Sequence, residues 1–204
     1  NEGYLNLKKI VLFVFFFWSI GIVIKIFSGF DSNQMVFDEI LISPNHTSWL
    51  GRDDYGRDIF YRLIDGFLNS FEIIFIVTAI SSFFGVLIGV ISGYFGGKLD
   101  QLIRYITTLF MAFPGILLAI AFAAILSPGK FNLIFALSIG GWVGYARLAR
   151  AQTSLIKNLD FVKASELMGS SHINIIIKHI LPSIRTPLIV EATYAIAGLI
   201  IAEA

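Results

Sequence analysis

From Ile73 to Tyr94 the chain runs through 22 residues without one Asp, Glu, Lys or Arg. About twenty apolar residues at 1.5 Å rise span the roughly 30 Å of a bilayer's hydrocarbon, where only a helix satisfies every backbone polar group from within its own segment. Four further apolar spans follow the same logic: Ile10–Phe27, Tyr105–Leu126, Phe131–Tyr145, which is short, and Pro187–Ala204. Of the 204 residues 56% are hydrophobic and 20 are Phe, more than a soluble core of this size could bury. The expected fold is an all-α membrane protein, a polytopic helical bundle with five spans. Lys8 and Lys9 precede the first span without a small-residue cleavage pattern, so that span reads as an anchored helix rather than a removed signal.

Basic residues set the expected orientation. Lys8 and Lys9, then Lys98 and Arg104, then Arg147, Arg150, Lys157, Lys163, Lys178 and Arg185 fall between alternate spans, and the positive-inside rule puts those segments in the cytoplasm. The acidic segment Phe30–Ser70 and the turn Ser127-Pro128-Gly129-Lys130 then face outside, with the N-terminus inside. Since the chain opens at Asn1 and closes inside an apolar run, a fragment is expected, with a sixth helix beyond it. Three segments follow: a membrane anchor over 1–30, an external segment over 31–69, and a membrane domain over 70–204 that contains a long cytoplasmic loop, 146–186.

The polar stretch Asn158–Pro182 within that loop is too long for a simple connection between membrane helices. Asp160 reads as the N-cap of a helix over Phe161–Met168, Gly169 as its left-handed stop, and Ser170 or Ser171 as the cap of a second helix through Ile180 that Pro182 breaks or redirects. The result is a compact knob of two short helices, or else an ordinary amphipathic surface helix. Pro114 lies inside the third span and is expected to bend it beside Met111, marking a pathway or a moving segment, or serving packing alone. Gly85, Gly89 and Gly93 lay a smooth face along the second span, for packing within the chain or against another subunit. Arg104, Arg147 and Arg150 read as helix-end residues that snorkel toward lipid phosphate.

Chemistry is mostly excluded. There is no cysteine, and His46, His172 and His179 are not paired at metal-ligand spacing in a span. No phosphate-binding loop, G-x-S-x-G or H-E-x-x-H string occurs, so no ATP site or catalytic constellation is expected in this chain, and nothing points to nucleic acid. Glu72, Glu191 and Glu203 are placed near span ends, leaving no intramembrane relay for an ion-driven carrier.

The pattern Lys163-Ala164-Ser165, Gly169 and Leu181-Pro182 resembles the EAA loop of ABC-importer permeases, with Lys163 where that motif has Glu. Leu50-Gly51-Arg52-Asp53-Asp54-Tyr55-Gly56-Arg57-Asp58, Gly93-Tyr94-Phe95-Gly96-Gly97-Lys98-Leu99-Asp100, Met111-Ala112-Phe113-Pro114 and Gly141-Trp142-Val143-Gly144-Tyr145-Ala146-Arg147 are similar to strings of one branch, the C-type subunits of dipeptide, oligopeptide and nickel importers. The resemblance implies a non-catalytic permease subunit of the bacterial inner membrane. It implies a second permease subunit as heterodimer partner, two cytoplasmic ATPases that bind ATP and Mg, and an external substrate-binding protein, with membrane lipid around the spans. Lys163, Ala164, Ser165, Leu167, Met168, Gly169 and Pro182 would be the ATPase-coupling residues, and peptides the first substrate class, with nickel the other. A passive channel, or a membrane-anchored sensor with a regulatory loop, is the alternative from another class, and a membrane enzyme is more distant.

Overall fold

A computed structural model describes residues 16, 18–27, 29 and 31–203, so the beginning of the expected first span lies outside the described residues. The chain divides into two compact units, Asn1–Glu72 and Ile73–Ala204. Among the described residues the elements are helices, with one isolated antiparallel bridge between Arg52 and Asp58.

In the first unit, helix α1 (Trp18–Phe27) is followed by an ordered loop and by the start of α2 (Ile59–Phe95). The segment read as external therefore ends in helix: Asp58 accepts from the N–H groups of Phe60, at 2.9 Å, and Tyr61, starting α2 well before the apolar run. Asp53 organises the GRDDYGRD turn. It accepts from the N–H groups of Tyr55 and Arg57 at 2.9 Å, from Arg57 Nε at 2.8 Å and from Arg62 Nη1. Burial opposes the ionised carboxylate, but these hydrogen bonds together outweigh it and hold Asp53 well below the usual carboxylate range. Gly56 has φ +72°, and a β-carbon there would collide with the backbone of Val36, so this turn requires glycine.

The second unit holds the rest of α2 with α3 (Gly97–Met111), α4 (Gly115–Ile125), α5 (Lys130–Ile156), α6 (Asp160–Leu167), α7 (His172–Ile175) and α8 (Leu181–Glu203). A π turn over Ile176–Ile180 joins α7 to α8. Among the described residues three helices are long and apolar enough to cross a membrane: Ile59–Phe95, Lys130–Ile156 and the continuous His172–Glu203.

Four expectations are corrected here. The third span is broken rather than bent: α3 stops at Met111 and Pro114, at ψ 127°, precedes α4, because a residue without an N–H and with extended ψ starts a helix more easily than it continues one. The short fourth span is 27 residues long and continues to Ile156, so residues 146–156, assigned to the loop, belong to α5. Pro182 does not end the second loop helix. The wider π turn before it absorbs the missing donor, and the helix runs on into α8. As a result Glu191 lies at mid-length of α8 rather than near an end, its carboxylate against the Cα of Gly144.

The glycine face of α2 is filled from within the chain. A β-carbon at Gly85, Gly89 or Gly93 would sit 2.6 Å from Tyr145 Cβ, 2.8 Å from Ala149 Cβ or 2.9 Å from Thr153 Cβ, with the carbonyls of Trp142, Ala146 and Arg150 nearer still. Rows spaced by four on each helix thus meet backbone to backbone, the small-residue packing that lets helices approach closely. The alternative of a face kept for another subunit is set aside for these three glycines.

Candidate functional site

The knob between α5 and α8 is shaped by local rules. Leu159, not Asp160, is the N-cap of α6, and it makes no side-chain cap; Asp160 is instead the first helical residue, where its charge still favours the positive end of the helix dipole. Gly169 closes α6 at φ +83°, with its N–H on Glu166 O at 2.9 Å and the N–H of Ser170 on Ser165 O at 3.1 Å. That pair of bonds is the Schellman arrangement, which requires a left-handed residue at this position. Ser171 then caps α7 by accepting from Asn174 N–H at 3.4 Å.

One side of the knob is anchored. Val162 on α6, Ile175 on α7, Ile180 in the π turn and Ile184 on α8 are buried together with Val90 of α2 and Ala149 and Ile156 of α5. Lys157 Nζ donates to Tyr94 O at 3.0 Å, and Tyr94 Oη pairs with His172 Nδ1 at 2.9 Å. The other side is open: Leu167 is 89% exposed and Met168 80%, beside exposed Lys163 and Ala164, and Ile173 and Ile177 continue the apolar surface. Leu167 and Met168 thus hold two adjacent apolar side chains outward on a turn of fixed backbone geometry.

The residues expected to form one coupling face therefore separate. Lys163, Ala164, Leu167 and Met168 lie together on the open side. Ser165 points inward, 6% exposed, with its hydroxyl on Ser170 Oγ at 2.9 Å, so it shapes the turn. Gly169 sets the backbone, and Pro182 stands apart in the first turn of α8. Met111 and Pro114 belong to the break between α3 and α4, where Met111 Sδ meets Arg147. A β-carbon at Gly169 meets no neighbouring atom, so a substitution there brings chiefly strain, about 1–2 kcal/mol for a side chain held left-handed. Gly169→Val is expected to speed hydrogen exchange across α6 about tenfold or more while leaving α5 unchanged; unchanged exchange in α6 would show that the turn does not depend on glycine.

A second cluster ties α3 to α5 and α2, and sequence reading passed over it. Asp100, in the first turn of α3, accepts from Arg150 of α5 through Nε and, at 2.9 Å, Nη2; Ser92 Oγ of α2 donates to it at 2.7 Å, and Arg104 Nε lies 3.2 Å away. The Arg150 hydrogen bonds, against burial and aided by Ser92 and the two guanidinium charges, hold the Asp100 carboxyl at about 2. Fifty residues separate Asp100 from Arg150, so no local spacing could pair them. The available signal was the Asp that ends the GYFGGKLD string.

Residues 85–204 match the family described as binding-protein-dependent transport system inner membrane component. A dipeptide transport system permease protein of Alkalihalophilus pseudofirmus is 39% identical over 153 residues, 75% of this chain and 50% of that protein. An oligopeptide transport system permease protein of Lactococcus lactis is 35% identical over 197 residues, 94% of this chain and 67% of the relative. A glutathione transport system permease protein of Pectobacterium atrosepticum is 34% identical over 172 residues, 84% and 57% of the two chains. The chain thus spans about half to two thirds of the length of these curated relatives.

Proposed function

As this chain belongs to the family of binding-protein-dependent transport system inner membrane components, we propose that it is a transmembrane subunit of an ATP-driven importer that moves peptides by alternating access. Relatives named for dipeptide, oligopeptide and glutathione transport support peptides as the cargo class. The observation that carries the mechanism is the knob: an apolar tip, Leu167 and Met168, on a turn closed by Gly169 and seated rigidly on α2 and α5. A tip so placed transmits displacement. If a cytoplasmic ATPase grips it, closure on ATP moves the base of α2, α5 and α8 together, and the break before Pro114 gives α4 a joint separate from α3.

In this reading the knob faces the cytoplasm with the N-terminus, as the basic residues require. A second permease subunit completes the pathway, two ATPases bind ATP and Mg2+, and an external binding protein delivers the peptide. This chain performs no catalysis of its own. Burying Leu167 and Met168 in a partner groove contributes about 1.5–3 kcal/mol each.

Ala164 lies beside that tip, and Ala164→Asp puts an unpaired carboxylate in the contact, at several kcal/mol if desolvated. With the assembled complex in proteoliposomes, peptide-stimulated ATP hydrolysis and uptake are expected to fall at least about tenfold, since each 1.4 kcal/mol of lost contact is a factor of ten. Membrane insertion should be unchanged. Full uptake by the variant would remove the knob as the coupling surface, and peptide flux through this chain without any ATPase would favour a passive channel.

A further inference from the structure

The three arginines Arg104, Arg147 and Arg150 look alike in sequence and differ in the folded chain. Arg104 and Arg150 are committed to Asp100. Arg147 is exposed, and its acceptor among the described residues is the thioether of Met111, a weak one for a guanidinium with five N–H donors. All three arginines border a cleft of about 550 Å³ between α3 and α5. Three guanidinium charges stand there against the one carboxylate of Asp100, leaving an excess of two positive charges.

Depth and lining narrow the occupant. Arg147 follows Lys130, the first residue of α5, by 17 positions, about 25 Å along the helix axis. With Lys130 at one surface of a hydrocarbon layer about 30 Å thick, the Arg147 side chain reaches the opposite polar boundary, the level of lipid phosphates. Of the remaining wall, Thr107 and Thr108 turn their hydroxyls back onto the carbonyl of Arg104, while Ile103, Met111, Ala112 and Ala146 are apolar and suit the glycerol and upper acyl carbons that a free anion lacks. We propose that this cleft seats the phosphate of an anionic phospholipid, with Arg147 donating to two of its oxygens in the forked geometry that guanidinium and phosphate share. Arg150 and Arg104, held by Asp100, supply field rather than direct bonds.

The site rests on membrane placement of α5 and not on the coupling role of the knob. The test is native mass spectrometry of the full-length chain, extracted in detergent with the subunits that accompany it and titrated with phosphatidylglycerol or phosphatidylcholine. Retention of phosphatidylglycerol is expected to exceed that of phosphatidylcholine about fivefold, and Arg147→Gln to abolish the difference. Lys178→Gln, a charge removed from the exposed side of the π turn, and Ala164→Asp should both retain it, which separates this site from general surface charge and from coupling. Equal retention of the two lipids by the unaltered protein, or unchanged preference in Arg147→Gln, overturns the proposal. Displacement of the lipid by inorganic phosphate alone would assign the cleft to a free anion instead. Absence of bound lipid together with loss of the accompanying subunits in Arg147→Gln would assign it to a partner's carboxylate.

Discussion

Replacing Gly89 with leucine is expected to destabilise the second unit strongly. The residue lies at the centre of the α2–α5 crossing, where the incoming side chain would have to occupy the space of the Ala146 carbonyl and of Ala149 Cβ. Neither can yield: one is helix backbone, the other the smallest side chain that has a β-carbon. Overpacking of a tight contact costs about 1–3 kcal/mol where neighbours can shift. Here the two helix axes must separate, which also loosens the flanking contacts at Gly85 and Gly93, so the upper end of that range or more applies. Thermal unfolding in detergent and the yield of inserted protein measure the effect. Gly66→Leu is the control on the same helix, because nothing lies within 4 Å of a β-carbon there, and a better helix former should leave the melting temperature unchanged or raise it. A parent-like melting temperature for Gly89→Leu would show that α2 and α5 do not meet as described.

The second large effect is expected from Asp100→Asn. The carboxylate receives Arg150, Ser92 and Arg104 at once, with only 13% of its side chain exposed, and the amide keeps a single uncharged acceptor for two cations. Its carboxyl sits at about 2, against an ordinary value of about 3.9. A depressed value means that the folded state holds the proton less tightly than the unfolded chain does. The corresponding stability, about 2 kcal/mol, is fully present above pH 4 and disappears as pH falls through 2. Asp100→Asn should therefore lower stability by about that amount at neutral pH and, unlike the parent, lose no further increment between pH 4 and 2 from this site. Arg150→Gln should cost little more when combined with Asp100→Asn than the single change does, since the pair is one interaction. Additive losses, or an Asp100→Asn variant with the parent's acid titration, would exclude the cluster as the tie between α3 and α5.

Much of the architecture is readable because it follows from short-range chemistry. The uncharged run Ile73–Tyr94 requires a membrane helix whatever its neighbours do. Gly169 after Met168, and Ser171 before His172, end one helix and start another through bonds within a few residues, so the knob is visible in the chain. The misreadings cluster where a short-range rule leaves two outcomes. A proline such as Pro114 or Pro182 removes a donor in either case; whether the chain breaks, as before α4, or widens into a π turn and continues, as before α8, depends on the surrounding packing. The same ambiguity moved the start of α8 and the position of Glu191.

Facing is the other gap. Lys163, Ala164, Ser165, Leu167 and Met168 are consecutive enough to look like one surface, yet Ser165 turns inward because Val162, three positions before it, is buried against Val90 and Ile156. What the sequence determined by itself is membrane residence, the helical class, the glycine-stopped knob and the family strings, all of which are properties of apolar length or of contacts a few residues apart. Only the tertiary structure decided which helix fills the Gly85–Gly89–Gly93 face, which arginines Asp100 holds and which one is left over. The glycine contacts and the Asp100–Arg150 pair join residues fifty to sixty positions apart, and only the folded chain brings the members of each pair into contact.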